Sequence, residues 1–134
     1  VDADLFEIKP EQTYTSADLN WTDKNSRSSI EMNDSNCRPA IKEKLANMEQ
    51  YEAVFVGFPI WWYVAPTIVN TFMEQYDLSG KTIIPLATSG SSGMGNTNKE
   101  LAVSCPGAEL KEGKRFSADA SAEELKTWAE GFGI

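Results

Sequence analysis

Ala53-Val54-Phe55-Val56-Gly57-Phe58-Pro59-Ile60-Trp61-Trp62-Tyr63-Val64-Ala65-Pro66 is the stretch from which the architecture of this 134-residue chain follows. Ala53 to Gly57 is an apolar run of strand length. A run that is apolar at every position suits a strand covered on both faces, as in a parallel sheet. The residues after it break that pattern. Three consecutive aromatics would alternate faces if extended, so Trp61, Trp62 and Tyr63 cannot all enter one core. Bracketed by Pro59 and Pro66, they read as a stiff, partly exposed shelf at the strand's carboxyl end. Such a shelf suits a flat heteroaromatic ligand, because stacking excludes water without demanding hydrogen bonds. The alternative is that one Trp plugs the core and the other merely lies at the surface.

The flanking segments repeat the strand-then-helix order. Pro66 opens a helix whose inward face is Val69, Phe72, Met73 and Tyr76, closed by Ser79-Gly80. Thr82 to Ala87 reads as a second buried strand, with a local irregularity expected at Pro85, which has no N–H for the ladder. Asn96 to Ser104 follows as a helix. Ala108 to Phe116 holds a weaker strand interrupted near Gly113. Ser121-Ala122-Glu123-Glu124 is a capping box for a helix carrying Leu125, Trp128 and Phe132 on one face. Upstream, Leu5 to Ile8 reads as a short strand ended by Lys9-Pro10. In the polar 11–36 stretch, Thr15 or Ser16 caps a helix through Asp18-Leu19-Asn20-Trp21. Cys37 to Gln50 reads as a helix with Ile41, Leu45 and Met48 on one stripe. Alternating strands and helices imply one α/β domain over 1–134, a parallel sheet with helices on both faces. Ligands in such folds sit at the carboxyl ends of the strands.

Composition narrows the chemistry. Twenty acidic against twelve basic residues give a net charge of −8, which argues against nucleic-acid binding and favours basic partners. No apolar run approaches a membrane span. The start, Val1-Asp2-Ala3-Asp4, has neither the basic nor the apolar region of a secretory signal. Cys37 and Cys105 are too few for a disulfide scaffold or a zinc site, and both read as reduced thiols of a cytoplasmic protein. The chain has no histidine, so histidine-based triads and the usual metal sites are excluded, and no catalytic residue is assigned.

A second loop, Thr88-Ser89-Gly90-Ser91-Ser92-Gly93-Met94-Gly95-Asn96-Thr97, follows the second strand. Its glycines let backbone N–H groups approach a ligand, and its hydroxyls add further donors. Lying before a helix, it suits a phosphate cradle, although it lacks the endings of a P-loop and of a dinucleotide site. Hydrogen bonding to the polar edge of a ring fits it equally well.

From Pro39 to Gly107 the chain resembles the flavodoxin family, in particular a bacterial branch with a Pro-Ile-Trp-Trp segment. The matching residues are Val56 to Trp62, Ala65-Pro66, Ser79 to Pro85, Thr88 to Gly93 and Cys105 to Glu109. Asp4 to Ile8 resembles the family's second strand. The resemblance implies a flavodoxin-like three-layer sandwich with strand order 2-1-3-4-5 and noncovalent FMN. It places Pro59, Ile60, Trp61, Trp62 and Tyr63 on one side of the isoalloxazine, and Thr88, Ser89, Gly90, Ser91, Ser92 and Gly93 along another. The second loop is then a ring loop. The family's opening strand, phosphate-binding turn and first helix have no counterpart after Val1, so the ring half of the site is expected without its phosphate half. The leading function is a one-electron carrier with basic redox partners. A flavin-dependent NAD(P)H or quinone reductase is the alternative, and a flavin-free interaction protein a third. For the slot left by the missing strand, the expectation is that pairing closes it, by Leu5–Ile8 joining Ala53–Gly57 or by strand exchange in a homodimer.

Overall fold

The computed structural model describes residues 3–133; Val1 and Asp2, read above as part of the start, lie outside them. Two strands form the centre of the sheet. β1 (Ala53–Pro59) and β2 (Thr82–Thr88) run parallel, from Ala53 opposite Thr82 to Pro59 opposite Thr88. On the far side of β2 lie two short parallel strands, β3 (Glu109–Leu110) and β4 (Lys114–Phe116). The helices are α1 (Arg27–Met32), α2 (Thr67–Glu74), α3 (Thr97–Ala102) and α4 (Ala122–Glu130), with a single 3₁₀ turn at Met48–Gln50.

The alternation of strand side chains assigns the two faces. Val56 and Phe58 of β1, with Ile83 and Ala87 of β2, join Val69, Phe72 and Met73 of α2 and Leu101 of α3 in one apolar cluster. Met73, Ile83, Ile84 and Leu101 are fully buried, and each such side chain contributes about 1.5–3 kcal/mol. On the opposite face Phe55 meets the edges of Trp128 and Phe132, and Phe116 packs on Trp128. α4 is held in place by this aromatic contact and by its cap, where the Glu124 N–H donates to Ser121 Oγ at 3.1 Å. The architecture is the expected α/β one, a parallel sheet with helices on both faces.

Pro85 causes an irregularity, but its neighbour takes it up. β1 and β2 stay in register through Val56 opposite Pro85. The break falls instead between β3 and β4, at residues 111–113. The Lys111 N–H still reaches Ile83 O at 2.8 Å, but its carbonyl faces a proline with no N–H to give. Asn98 Nδ2 of α3 supplies that donor at 2.8 Å. Gly113 then passes close to the Pro85 carbonyl, where a Cβ would come within 2.4 Å of the oxygen. The interruption expected near Gly113 is therefore the consequence of Pro85.

The N-terminal third differs from expectation. Leu5–Ile8 keeps the alternation of a strand, with Phe6 and Ile8 half-buried and Leu5 and Glu7 exposed, yet pairs with no strand. It lies instead beside β1 across a cleft of about 910 Å³, with Phe6 stacked on Phe72. β1 thus keeps one unpaired edge, and the expected closure of the slot by Leu5–Ile8 does not occur within this chain. No helix forms over Cys37–Gln50 except the 3₁₀ turn. The segment extends because it pairs with the residues around Pro10, through Glu11 N to Ala40 O and Lys42 N to Lys9 O. Thr15 and Asp18 cap each other's N–H groups as a helix start would, but only turns follow. The helix of that region is α1, capped by Ser26.

Candidate functional site

At the carboxyl end of β1 the backbone reverses in a tight turn. Trp61 and Val64 exchange backbone hydrogen bonds of 2.9 and 3.1 Å, and the two residues between them have positive φ, 48° at Trp62 and 66° at Tyr63. Turns of this type ordinarily take Gly or Asn at those positions, because a Cβ is crowded there. Trp62 is 46% and Tyr63 62% exposed, so the strain is not repaid by burying either ring. Trp61 is half-buried, and Ile60 turns inward to pack on the core cluster. Pro59 ends β1 at the surface, opposite Thr88. The three aromatics do not all enter one core, as expected, but the turn and not strand alternation divides them: Trp61 goes inward and the adjacent Trp62 and Tyr63 both go outward.

Trp61 is supported from behind by a polar cluster of the N-terminal segment. Tyr14 meets it edge-on at 5.7 Å between ring centroids. The Tyr14 hydroxyl donates to Glu31 Oε1 at 2.5 Å, and the Arg27 guanidinium lies 3.7 Å over the Tyr14 ring. Arg27 Nε also reaches Glu31 Oε2 at 3.0 Å. Burial, reinforced by the hydrogen bond to Glu31 and its charge, pushes the Tyr14 phenol above its ordinary value. It therefore stays a neutral donor.

The second loop touches this turn. Asn96 N–H donates to Tyr63 O at 3.0 Å, and a Cβ at Gly95 would come within 2.5 Å of that same oxygen. Gly95 also has φ +54°, so both space and conformation call for glycine. Ile60 N–H reaches Thr88 O at 2.9 Å, tying the first residue of the loop to the strand end. Thr88, Gly90, Ser91 and Gly93 are exposed, and Ser89 and Ser92 half-buried.

The loop's hydrogen bonds to the rest of the protein run mostly through its carbonyls. Among the described residues, no protein acceptor takes the backbone N–H of Gly90, Ser91, Ser92 or Gly93. The carbonyls of Ser89, Gly90 and Ser92, by contrast, are all engaged. Arg115 of β4 donates to Ser89 O at 2.6 Å and to Gly90 O at 2.8 Å. Its Nε donates to Ser89 Oγ at 2.9 Å, and that hydroxyl donates onward to Ser92 O. A run of free donors on a loop tied by its ends to a turn with exposed aromatic rings suits a planar ligand with an acceptor-rich edge.

The eleven residues singled out in the sequence thus fall on two loops in direct contact, with only the Ile60 side chain committed to the core. Arg115, Tyr14 and Gly95 were not singled out. Tyr14 and Arg115 reach the loops from 47 and 26 positions away, and no local pattern announces such contacts. The Gly-Asn pair at 95–96 was legible as a helix start but not as a clamp on Tyr63. Both thiols are pushed up by burial, and no group of metal-ligating side chains occurs among the described residues.

Comparison with known proteins supports the fold. The flavodoxin family model matches residues 1–132. The chain belongs to the flavodoxin family. Two solved structures, each described as a "putative flavoprotein", are similar to it. One, from Bacteroides eggerthii, is 46% identical with a TM-score of 0.88, over 98% of this chain and 82% of that one. The other, from Bacteroides uniformis, is 50% identical with a TM-score of 0.87, over 93% of this chain and 80% of that one. No curated protein matches. No helix among the described residues is long and apolar enough to cross a membrane.

Proposed function

We propose that the chain is an FMN-binding electron-transfer protein of the cytoplasm, with the isoalloxazine seated between the Trp61–Val64 turn and the Thr88–Gly93 loop. One observation carries the reading: a loop of free backbone donors in contact with a strained turn that holds two aromatic rings in solvent. Strain kept at a surface turn is a recurrent sign of a ligand site. Trp62 and Tyr63 would cover the ring, and the amides of Gly90 to Gly93 would donate to its polar edge. The flavin would supply the redox chemistry, and the protein binding and electrostatic tuning. Family membership and the flavoprotein names of the similar structures support the choice of cofactor class. The net charge of −8 supports a basic redox partner, whose association would slow as salt rises.

Titration of the purified chain with FMN and with riboflavin, followed by flavin fluorescence and by Trp quenching, tests the proposal. Saturable quenching of both is expected. Absence of binding by either flavin would overturn it and leave a flavin-free interaction role. Steady oxidation of NAD(P)H by a quinone in the presence of FMN would replace the carrier by the reductase.

A further inference from the structure

We propose that Arg115 is the positioning residue of the ring loop: its guanidinium occupies the Ser89 and Gly90 carbonyls and so keeps the N–H groups of the same two peptides, those of Gly90 and Ser91, turned outward as free donors. The inference rests on the flavin reading above for its ligand, and on the hydrogen bonds of this chain for its mechanism. Arg115 takes part in no ion pair among the described residues. Its fork goes instead to Ser89 O, Gly90 O and Ser89 Oγ, all within 2.9 Å.

A Gly/Ser loop left to itself has no reason to face its N–H groups in one direction, since a peptide flip exchanges donor for acceptor at small cost when glycine is adjacent. Arg115 removes that freedom. Flipping the peptide after Ser89 or Gly90 would withdraw a carbonyl from a charged donor, and hydrogen bonds to charged groups are the stronger class. The Ser89 hydroxyl extends the same constraint to Ser92, because it accepts from Arg115 and donates to the Ser92 carbonyl. The anchor itself is rigid: β4 is paired in register with β2, Arg115 opposite Ala87. The loop begins at the end of β2, so sheet and loop move as one piece. A guanidinium is suited to this task and an ammonium is not, since only the planar fork spans two successive carbonyls and a hydroxyl.

Arg115→Gln and Arg115→Lys, with Ser89→Ala as a milder cut in the same network, test the assignment in the full chain. In flavin-free protein, hydrogen exchange at the 88–96 loop should quicken in both Arg115 variants while β2 amides keep their protection. FMN affinity should fall on the order of ten-fold, because the loop must then be ordered at the moment of binding. Ser89→Ala should quicken exchange at the loop and lower FMN affinity by less. The proposal is overturned if loop exchange is unchanged in Arg115→Gln, or if exchange quickens while FMN affinity stays the same. Full recovery of both readouts by Lys would also overturn it, since charge and not the fork would then suffice. If the wild-type chain takes no flavin, the flavin reading fails separately, and loop exchange alone decides whether Arg115 orders the loop.

Discussion

Trp62 carries the largest conflict between local preference and observed structure. A β-unbranched aromatic at φ 48° costs about 1–2 kcal/mol relative to a right-handed or extended conformation, and its 46% exposure returns little of that as burial. Trp62→Gly should therefore raise stability by about 1 kcal/mol, read as an increased denaturant midpoint at unchanged slope. The same change removes a stacking surface and should weaken flavin binding by on the order of 1–3 kcal/mol. The opposite signs are the point of the experiment. A variant that is both less stable and unchanged in flavin binding would mean that Trp62 is held for packing alone. Glu74 makes a second prediction, about pH. Arg38 Nε lies 3.0 Å from Glu74 Oε1, and Ser104 Oγ donates to Oε2 at 2.6 Å while accepting from Asn70. Arg38 first, and then Ser104, hold the Glu74 carboxyl below its ordinary value. A depressed carboxyl contributes stability above the ordinary carboxylate range and loses it as pH falls through the folded value. Wild type should lose stability as pH falls through and below the ordinary carboxylate range, and Glu74→Gln should lose measurably less. Parallel titration curves would show that the pair is inert.

The junction of β2, β3 and α3 shows how one residue can set the course of its neighbours. Pro85 leaves the Lys111 carbonyl without its strand donor, and Asn98 replaces it from a helix. Asn98→Ala should orphan that carbonyl at a cost of about 1–3 kcal/mol, measured by chemical denaturation. A negligible change would mean that water reaches the carbonyl, and that α3 does not depend on the junction. The same junction shows what could be read in advance. Pro85 and Gly113 are visible as breakers, so an irregular β2 and an interrupted last strand were both expected; only the element that absorbs the break needed the structure. β1, α2, β2 and α4 were legible because their apolar residues recur at the right period over enough length, and α3 was legible from its place after the Gly/Ser loop. Cys37–Gln50 was misread because Ile41, Leu45 and Met48 satisfy a helical spacing while the backbone finds a partner near Pro10. α1 was missed because a six-residue helix with buried serines has no apolar stripe to see. In the site, the two loops were legible from composition and position. The contacts that organise them, Tyr14 behind Trp61 and Arg115 across Ser89 and Gly90, are long-range and leave no local trace.

The sheet as a whole is lopsided, and β1 is where this shows. β2 is paired on both sides, whereas β1 is paired only with β2 and opens on its other side to the cleft walled by Ala3 to Ile8, Leu45, Met48 and Tyr51. The direction of each β1 amide follows from two bonds at its ends. Thr82 N–H donates to Glu52 O, and Ile60 N–H donates to Thr88 O. In a parallel ladder the donors alternate along the strand, so Val54, Val56 and Phe58 point their N–H groups at β2. Ala53, Phe55 and Gly57 point theirs into the cleft. Side chains do not disguise the difference, because Phe55 and Val56 are adjacent and both largely covered. Hydrogen exchange measured amide by amide on the chain should therefore alternate. Val54, Val56 and Phe58 should exchange with the slow core of β2, and Phe55 and Gly57 faster by on the order of a hundred-fold or more, since no protein acceptor must be released first. The pattern should be independent of protein concentration if the edge stays bare. Slow exchange at all five amides in dilute protein would mean that the Phe6–Ile8 segment closes onto β1 in solution. Protection of Phe55 and Gly57 that grows with concentration would mean that a second copy does so, the strand exchange that the sequence left open.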